Sequence, residues 1–172
     1  MSELVLVLSE KEIEEKVSLM AQTISKDYSN KKLVVIGVLK GSFIFMADLV
    51  RKLSIPCEID FIGASSYGFE DKSSGTIKIT KDINIEIRDK HILLVEDIID
   101  TGLTLRHLKH YLKGSGAADI KVCTLLDKHE RRKLEVDIDY TCHKIDEGFI
   151  VGYGIDYAEK YRNLPAIYHI KT

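Results

Sequence analysis

The chain has 172 residues, 45% hydrophobic and 30% charged, with a formal net charge of -2. That is the length of one domain with a substantial core, and the charge sets up no global field to draw in nucleic acid or an anionic membrane. No apolar run approaches the roughly 20 residues of a membrane span, and Cys57, Cys123 and Cys142 are too scattered for a zinc site or a disulfide framework.

In chain order, "MSELVLVLSEKEIEEK" turns acidic too early for a secretory signal or transit peptide. With thiols read as reduced and packed, this predicts a cytoplasmic protein. Ser9 and Glu12 form a capping box, and Ile13, Val17, Met20 and Ile24 follow at helical spacing. "LVVIGVL" is a fully buried strand, "SFIFMADLVRKL" a helix and "CEIDFIGASSY" a second strand. Gly68 to Asn84 is polar and glycine-bearing, with a short alternating strand "TIKIT"; it reads equally as a surface loop or as a lid. "HILLVED" is a strand and "TLRHLKHYLK" a helix stopped by Gly114; "DIKVCTLLD" is a further strand and "FIVGYGID" a shorter one. Strands alternating with helices predict an α/β fold, a mostly parallel twisted sheet flanked by helices.

Two strand-to-helix turns are suited to anions. One carries Lys40, Gly41 and Ser42; the other carries Thr101, Gly102 and Thr104. Helix N-termini offer unpaired N–H groups and partial positive charge, and glycine lets the backbone approach. Glu96 and Asp97 end the strand before the second turn, and Asp100 sits at its mouth. Carboxylates there suit vicinal hydroxyls or a divalent cation. Helix capping in solvent explains Asp100 but not all three acids. A phosphate cradle beside diol-binding acids describes a ribose 5-phosphate site. "GSGAAD" near Gly114 follows a helix rather than a strand, which argues against a dinucleotide fingerprint.

These residues carry a resemblance. "ILLVEDIIDTGLTL" resembles the phosphoribosyl-diphosphate motif of type I phosphoribosyltransferases, and "VEDIIDTG" is similar to the hypoxanthine-guanine phosphoribosyltransferase family in particular. "VLKGSFIFMADLVRKL", "LLDKHERR" and "FIVGYGIDYAEKYRNLP" agree in order, so the likeness runs from Ser9 nearly to the end. It implies one type I phosphoribosyltransferase domain: a core of about 9–145, a hood over the base site from the N-terminal segment and about 146–172, and a mobile lid of about 66–82.

The implied reaction joins a 6-oxopurine, hypoxanthine or guanine, to 5-phosphoribosyl 1-diphosphate with Mg²⁺, giving the nucleoside 5′-monophosphate and diphosphate. By the resemblance, Glu96 and Asp97 hold the ribose hydroxyls and Asp100, Thr101, Gly102, Leu103 and Thr104 wrap the 5′-phosphate. Asp100 also takes the proton from purine N7. Lys40, Gly41 and Arg162 bind the diphosphate, with a non-proline cis peptide at Leu39-Lys40. Ser66 and Tyr67 open the lid. Lys128, Phe149, Ile150 and Asp156 form the base site, Phe149 by stacking, Ile150 by lining the pocket while its backbone reads the ring edge, and Lys128 by donating to the 6-oxo group; adenine, with a donor there, is rejected. Glu96, Asp97 and Asp156 are the metal group. The partners expected are small molecules, neither nucleic acid nor membrane, and a second or further copies in a homodimer or homotetramer. A regulatory binding protein on the same fold, or a transferase for xanthine, are the competing readings.

Two positions depart from the family pattern: Leu103, where some relatives carry Lys, and His129, where many bacterial relatives carry Pro. His107 and His110 read as a surface pair with no third ligand, "HERRKLEVD" as a solvated face, and Tyr153, Tyr157 and Tyr161, at helical spacing, as packing or stacking residues alike.

Overall fold

A computed structural model describes residues 3–67 and 76–171. Strand β1 (Glu3–Leu8) precedes helix α1 (Glu10–Asp27), β2 (Leu33–Leu39), α2 (Phe43–Lys52), β3 (Cys57–Tyr67) and β4 (Thr76–Lys81). Then come β5 (His91–Ile99), α3 (Leu103–Gly114), β6 (Asp119–Lys128), β7 (Tyr140–Ile145), β8 (Phe149–Val151) and β9 (Ile167–Lys171). The main sheet runs β4-β3-β2-β5-β6-β7. Its pairs are parallel except β3 with β4, which is antiparallel.

The continuous apolar runs follow from burial on both faces. Leu33, Val35, Leu93, Val95, Cys123 and Leu125 point into one core cluster with α1 and α2. Their neighbours Val34, Ile36, Ile92, Leu94 and Val122 point into the other, with Leu105, Leu108 and Leu112 of α3. The period-2 side-chain alternation of each strand therefore feeds two layers at once. At the start of α1, Ser9 N donates to Glu12 Oε2 at 2.8 Å and Glu12 N to Ser9 Oγ at 3.3 Å, closing the capping box. Buried Ile13, Val17, Met20 and Ile24 form its inner stripe.

The structure adds to the sequence reading and in places departs from it. The N-terminal segment forms β1, and β1, β9 and β8 make a separate three-stranded antiparallel sheet from the residues assigned to the hood. Strands β7 and β9 lack a clean alternation because one is a partly buried edge and the other is short. "FIVGYGID" yields a strand only at Phe149–Val151; beyond it, left-handed backbone at Gly152, Tyr153 and Gly154 turns the chain. Tyr153, Tyr157 and Tyr161 consequently lie on turns, not on a helix. Tyr153 is buried and its hydroxyl donates to Asp48. Helix α3 includes Gly114 and is capped by Ser115, with Gly116 in the left-handed region at φ 95°. The three cysteines are free; burial pushes the thiols of Cys123 and Cys142 up, the latter to about 12. No helix among the described residues is long and apolar enough to cross a membrane.

Candidate active site

Parallel pairing of β2 with β5 sets the two expected anion turns side by side at the carboxyl ends of the strands, where open α/β sheets bind ligands. A cavity of ≈ 300 Å³ opens there. Lys40, Gly41, Glu96, Asp97, Asp100, Thr101, Gly102, Thr104, Asp156 and Arg162 all line it. The peptide between Leu39 and Lys40 is cis, as the resemblance implied.

The two turns interlock through glycines. A Cβ on Gly41 would lie 1.7 Å from Asp97 Oδ2, so only glycine leaves room for that carboxylate. Gly102 caps α3 with φ 85°, and a Cβ there would meet Leu134 O at 2.9 Å. Asp97 Oδ1 accepts from Ile98 N at 2.8 Å, and Glu96 Oε1 accepts from Asp97 N at 3.1 Å. Burial, then the neighbouring Asp97 carboxylate, pushes Glu96 well above the usual carboxylate range. Thr101 Oγ1 accepts from Leu103 N at 3.3 Å, which folds the turn locally. Ser42, at the other turn, is buried, and its hydroxyl donates back to Val38 O at 2.7 Å instead of facing the cavity.

Opposite the acids stand the cations. Arg162 Nη1 donates to Gly154 O at 2.9 Å and Nη2 pairs with Asp156 Oδ1 at 2.9 Å. Asp156 Oδ2 accepts from Glu159 N at 2.8 Å. Glu159, which the sequence reading passed over, pairs with Lys40 at 3.0 Å and with Arg162 at 3.5 Å. Its hydrogen bond from Lys40 holds its carboxyl below the usual range. The charge alternation in "DYAEKYR" was the available signal. Among the described residues, Asp100 Oδ1 and Arg162 Nε are buried without a hydrogen-bond partner. An unmet acceptor and an unmet donor on one cavity each cost about 1–3 kcal/mol, which fits a surface built for a polar ligand.

The remaining expected residues lie outside this cavity. Leu103 begins α3 and is half-buried. Lys128 ends β6, is buried, and its Nζ pairs with Glu130 Oε2 at 2.9 Å. Glu130 Oε2 also accepts from Gly148 N at 3.3 Å, which brings Lys128 to the start of β8. Phe149 is 58% exposed and meets Tyr157 edge-on, with centroids 6.3 Å apart. Ile150 on β8 is buried, with its side chain packed in the core cluster and its main chain on the outer edge of the three-stranded sheet, where the expected backbone contact to a ligand is open. Ser66 is exposed on β3; the side chain of Tyr67 and residues 68–75 of the expected lid lie outside the described residues.

"HERRKLEVD" is exposed along most of its length, as expected, but Arg132 turns inward with its side chain 10% exposed beneath the Thr101 turn, while Arg131 Nε pairs with Asp100 Oδ2 at 3.2 Å. Lys133 N and Leu134 N donate to Thr101 O at 3.0 and 3.2 Å. His129 Nε2 lies 3.0 Å from Asp127 Oδ2. Charge interruption hid this, because ion pairing across a turn has no periodic signature.

No group of three His, Cys, Asp or Glu side chains among the described residues is close enough to form a metal cage. Mg²⁺ does not require one: it takes hard oxygen donors, keeps waters and shares phosphate oxygens with one or two carboxylates. Asp97 and Asp156 on one phosphate-sized cavity fit that donor set, as does a Glu96 that a cation would help to ionise.

A family model described as phosphoribosyl transferase domain matches residues 7–158. The hypoxanthine-guanine phosphoribosyltransferase of Streptococcus pneumoniae is 47% identical over 161 residues, covering 94% of this chain and 89% of its own. A crystal structure of a hypoxanthine-guanine phosphoribosyltransferase from Bacillus anthracis superposes with a TM-score of 0.93 at 48% identity, covering 98% of this chain and 100% of its own. One of Trypanosoma cruzi hypoxanthine phosphoribosyl transferase, from work on how its C-terminal region affects oligomeric state and enzymatic activity, gives 0.91 at 38%, covering 97% and 91%.

Proposed function

This chain belongs to the phosphoribosyltransferase family, among the hypoxanthine-guanine enzymes of purine salvage, and from that premise we propose that its cavity transfers the 5-phosphoribosyl group of 5-phospho-α-D-ribose 1-diphosphate to N9 of hypoxanthine or guanine. The observation that carries the reading is the convergence of Lys40, Glu96, Asp97, Asp100, Thr101, Thr104, Asp156 and Arg162 on one cavity. It holds cations for the diphosphate, backbone amides for the 5′-phosphate and acids for the hydroxyls between them.

The chemistry breaks the bond from C1′ to diphosphate oxygen and forms one from C1′ to purine N9, with positive charge building on the sugar between. Main-chain amides from Thr101 to Thr104 would grip the 5′-phosphate at the N-terminus of α3. Glu96 and Asp97 would orient the ribose through its hydroxyls, and Lys40 and Arg162 would neutralise the departing diphosphate. Asp100, whose Oδ1 is free to accept, would receive the N7 proton. Glu96, Asp97 or Asp156 would hold Mg²⁺, which when bound would supply Lewis-acid stabilisation of the departing anion. Phe149 would stack on the base, Lys128 would donate to its 6-oxo group, and the open edge of β8 would read the ring edge. Ser66 and Tyr67 would lead the lid that keeps water out.

Cytoplasmic placement and a homodimer or homotetramer complete the reading. The first is supported by three free cysteines, the second by the role of the C-terminal region in the oligomeric state of the Trypanosoma cruzi relative; light scattering reads the second directly. The deciding experiment incubates the protein with phosphoribosyl diphosphate, Mg²⁺ and, in turn, hypoxanthine, guanine, xanthine and adenine, and measures diphosphate release. Release with hypoxanthine or guanine is expected; none with any base refutes the proposal, and release with xanthine alone replaces it.

A further inference from the structure

We propose that Arg132 is a positioning residue: one buried guanidinium fixes the phosphate turn and Lys128 in a single geometry, so that sugar and base are placed together. This deepens the transferase reading and rests on it. The Arg132 side chain is 10% exposed and does not line the cavity. Its Nε donates to Asp100 O at 2.8 Å. Its Nη2 shares protons among Ile99 O at 3.1 Å, Lys128 O at 3.1 Å and the Asp127 carboxylate at 2.5 Å. Two of these bonds land on the main chain of the residues given chemical roles, Asp100 and Lys128.

A guanidinium is planar, always charged and presents donors in a fixed fork, so it holds its acceptors at set mutual distances as an ammonium cannot. Asp127, 7% exposed at its side chain, anchors the far end of the fork, and His129 sits on the other Asp127 oxygen. The residues that follow complete the strap through their bonds to Thr101 O. The arrangement ties the end of β5 to the end of β6, which is where the phosphate half and the base half of the site meet.

The test compares wild type with Arg132→Lys and Arg132→Ala, using phosphoribosyl diphosphate, hypoxanthine and Mg²⁺, with rates normalised to folded enzyme from thermal unfolding. Misplacing a reacting group by an ångström costs ~10²-fold, so Arg132→Lys, which loses the fork but keeps the charge, is expected to lower kcat at least ~10-fold. It should also raise KM for both substrates, although Arg132 touches neither. Added guanidinium ion should restore part of the activity of Arg132→Ala; if that variant does not fold, Arg132→Lys alone decides the matter. Wild-type kcat and KM per folded Arg132→Lys enzyme overturn the role, as does a KM change confined to one substrate. A silent wild type instead refutes the transferase reading and takes this role with it.

Discussion

The two turns at the cavity and the region proposed to meet the base are built on different principles. The cavity joins two neighbouring strand-to-helix turns, Leu39 to Ser42 and Glu96 to Thr104, set side by side by parallel pairing of β2 with β5. The proposed base region lies outside that cavity and draws Lys128 from β6 and Phe149 from a second sheet, joined through Glu130 and Gly148. Local backbone geometry fixes the first; long-range side-chain contacts fix the second.

The largest expected effect lies at the base end. A buried donor left facing another donor rejects the wrong ligand by ~10⁴-fold, so kcat/KM should favour hypoxanthine over adenine by that order. Lys128→Ala should erase most of the gap while phosphoribosyl diphosphate binding persists; an unchanged ratio in competition assays removes Lys128 from base recognition. At the phosphate end, Asp100→Asn should lower kcat by ~10²-fold or more with KM for the sugar donor little changed, because general-base help is worth that much. Unaltered single-turnover rates would take Asp100 out of the proton transfer.

Gly41→Ala tests the interlock itself. Its Cβ would collide with Asp97 Oδ2, so the carboxylate must move, and the donor's KM should rise ~10-fold or more. Isothermal titration with phosphoribosyl diphosphate would show no weakening if the two turns are independent. Smaller again is a pH effect. Because Glu96 is raised by burial and by Asp97, the folded chain keeps a proton that the unfolded chain releases once pH passes about 4.3. Stability therefore falls as pH climbs from there to the raised folded value. Without Mg²⁺, Glu96→Gln should melt higher than wild type at pH 8 and show a flatter Tm–pH curve; equal slopes contradict this. The smallest concerns the turns behind the site: Tyr153→Phe loses the hydroxyl bond to Asp48, worth about 1–2 kcal/mol, and should lower Tm by a few degrees in a calorimeter.

The same contrast explains what could be read from sequence. The capping box at Ser9 and the apolar strands Leu33–Leu39 and His91–Ile99 are local patterns with a period, and so is the stripe of α3; each appears where expected. The phosphate-end candidates were legible because turn chemistry is local too. β1, β7 and β9 were not, since edge strands and short strands owe their existence to partners far along the chain. Arg132 and Glu159 were missed for the same reason: their bonding partners, Ile99, Asp100 and Lys40, are separated from them by most of a strand-helix unit or more.

The central claim is that backbone at two adjoining turns, with the acids between them, receives the phosphorylated sugar. Crystals soaked with phosphoribosyl diphosphate and Mg²⁺ test it most directly. The expected density places the 5′-phosphate against the amides of Thr101 to Thr104, the hydroxyls on Glu96 and Asp97, and the diphosphate beside Lys40 and Arg162. Ordered sugar bound away from the Glu96 to Thr104 segment would contradict the account.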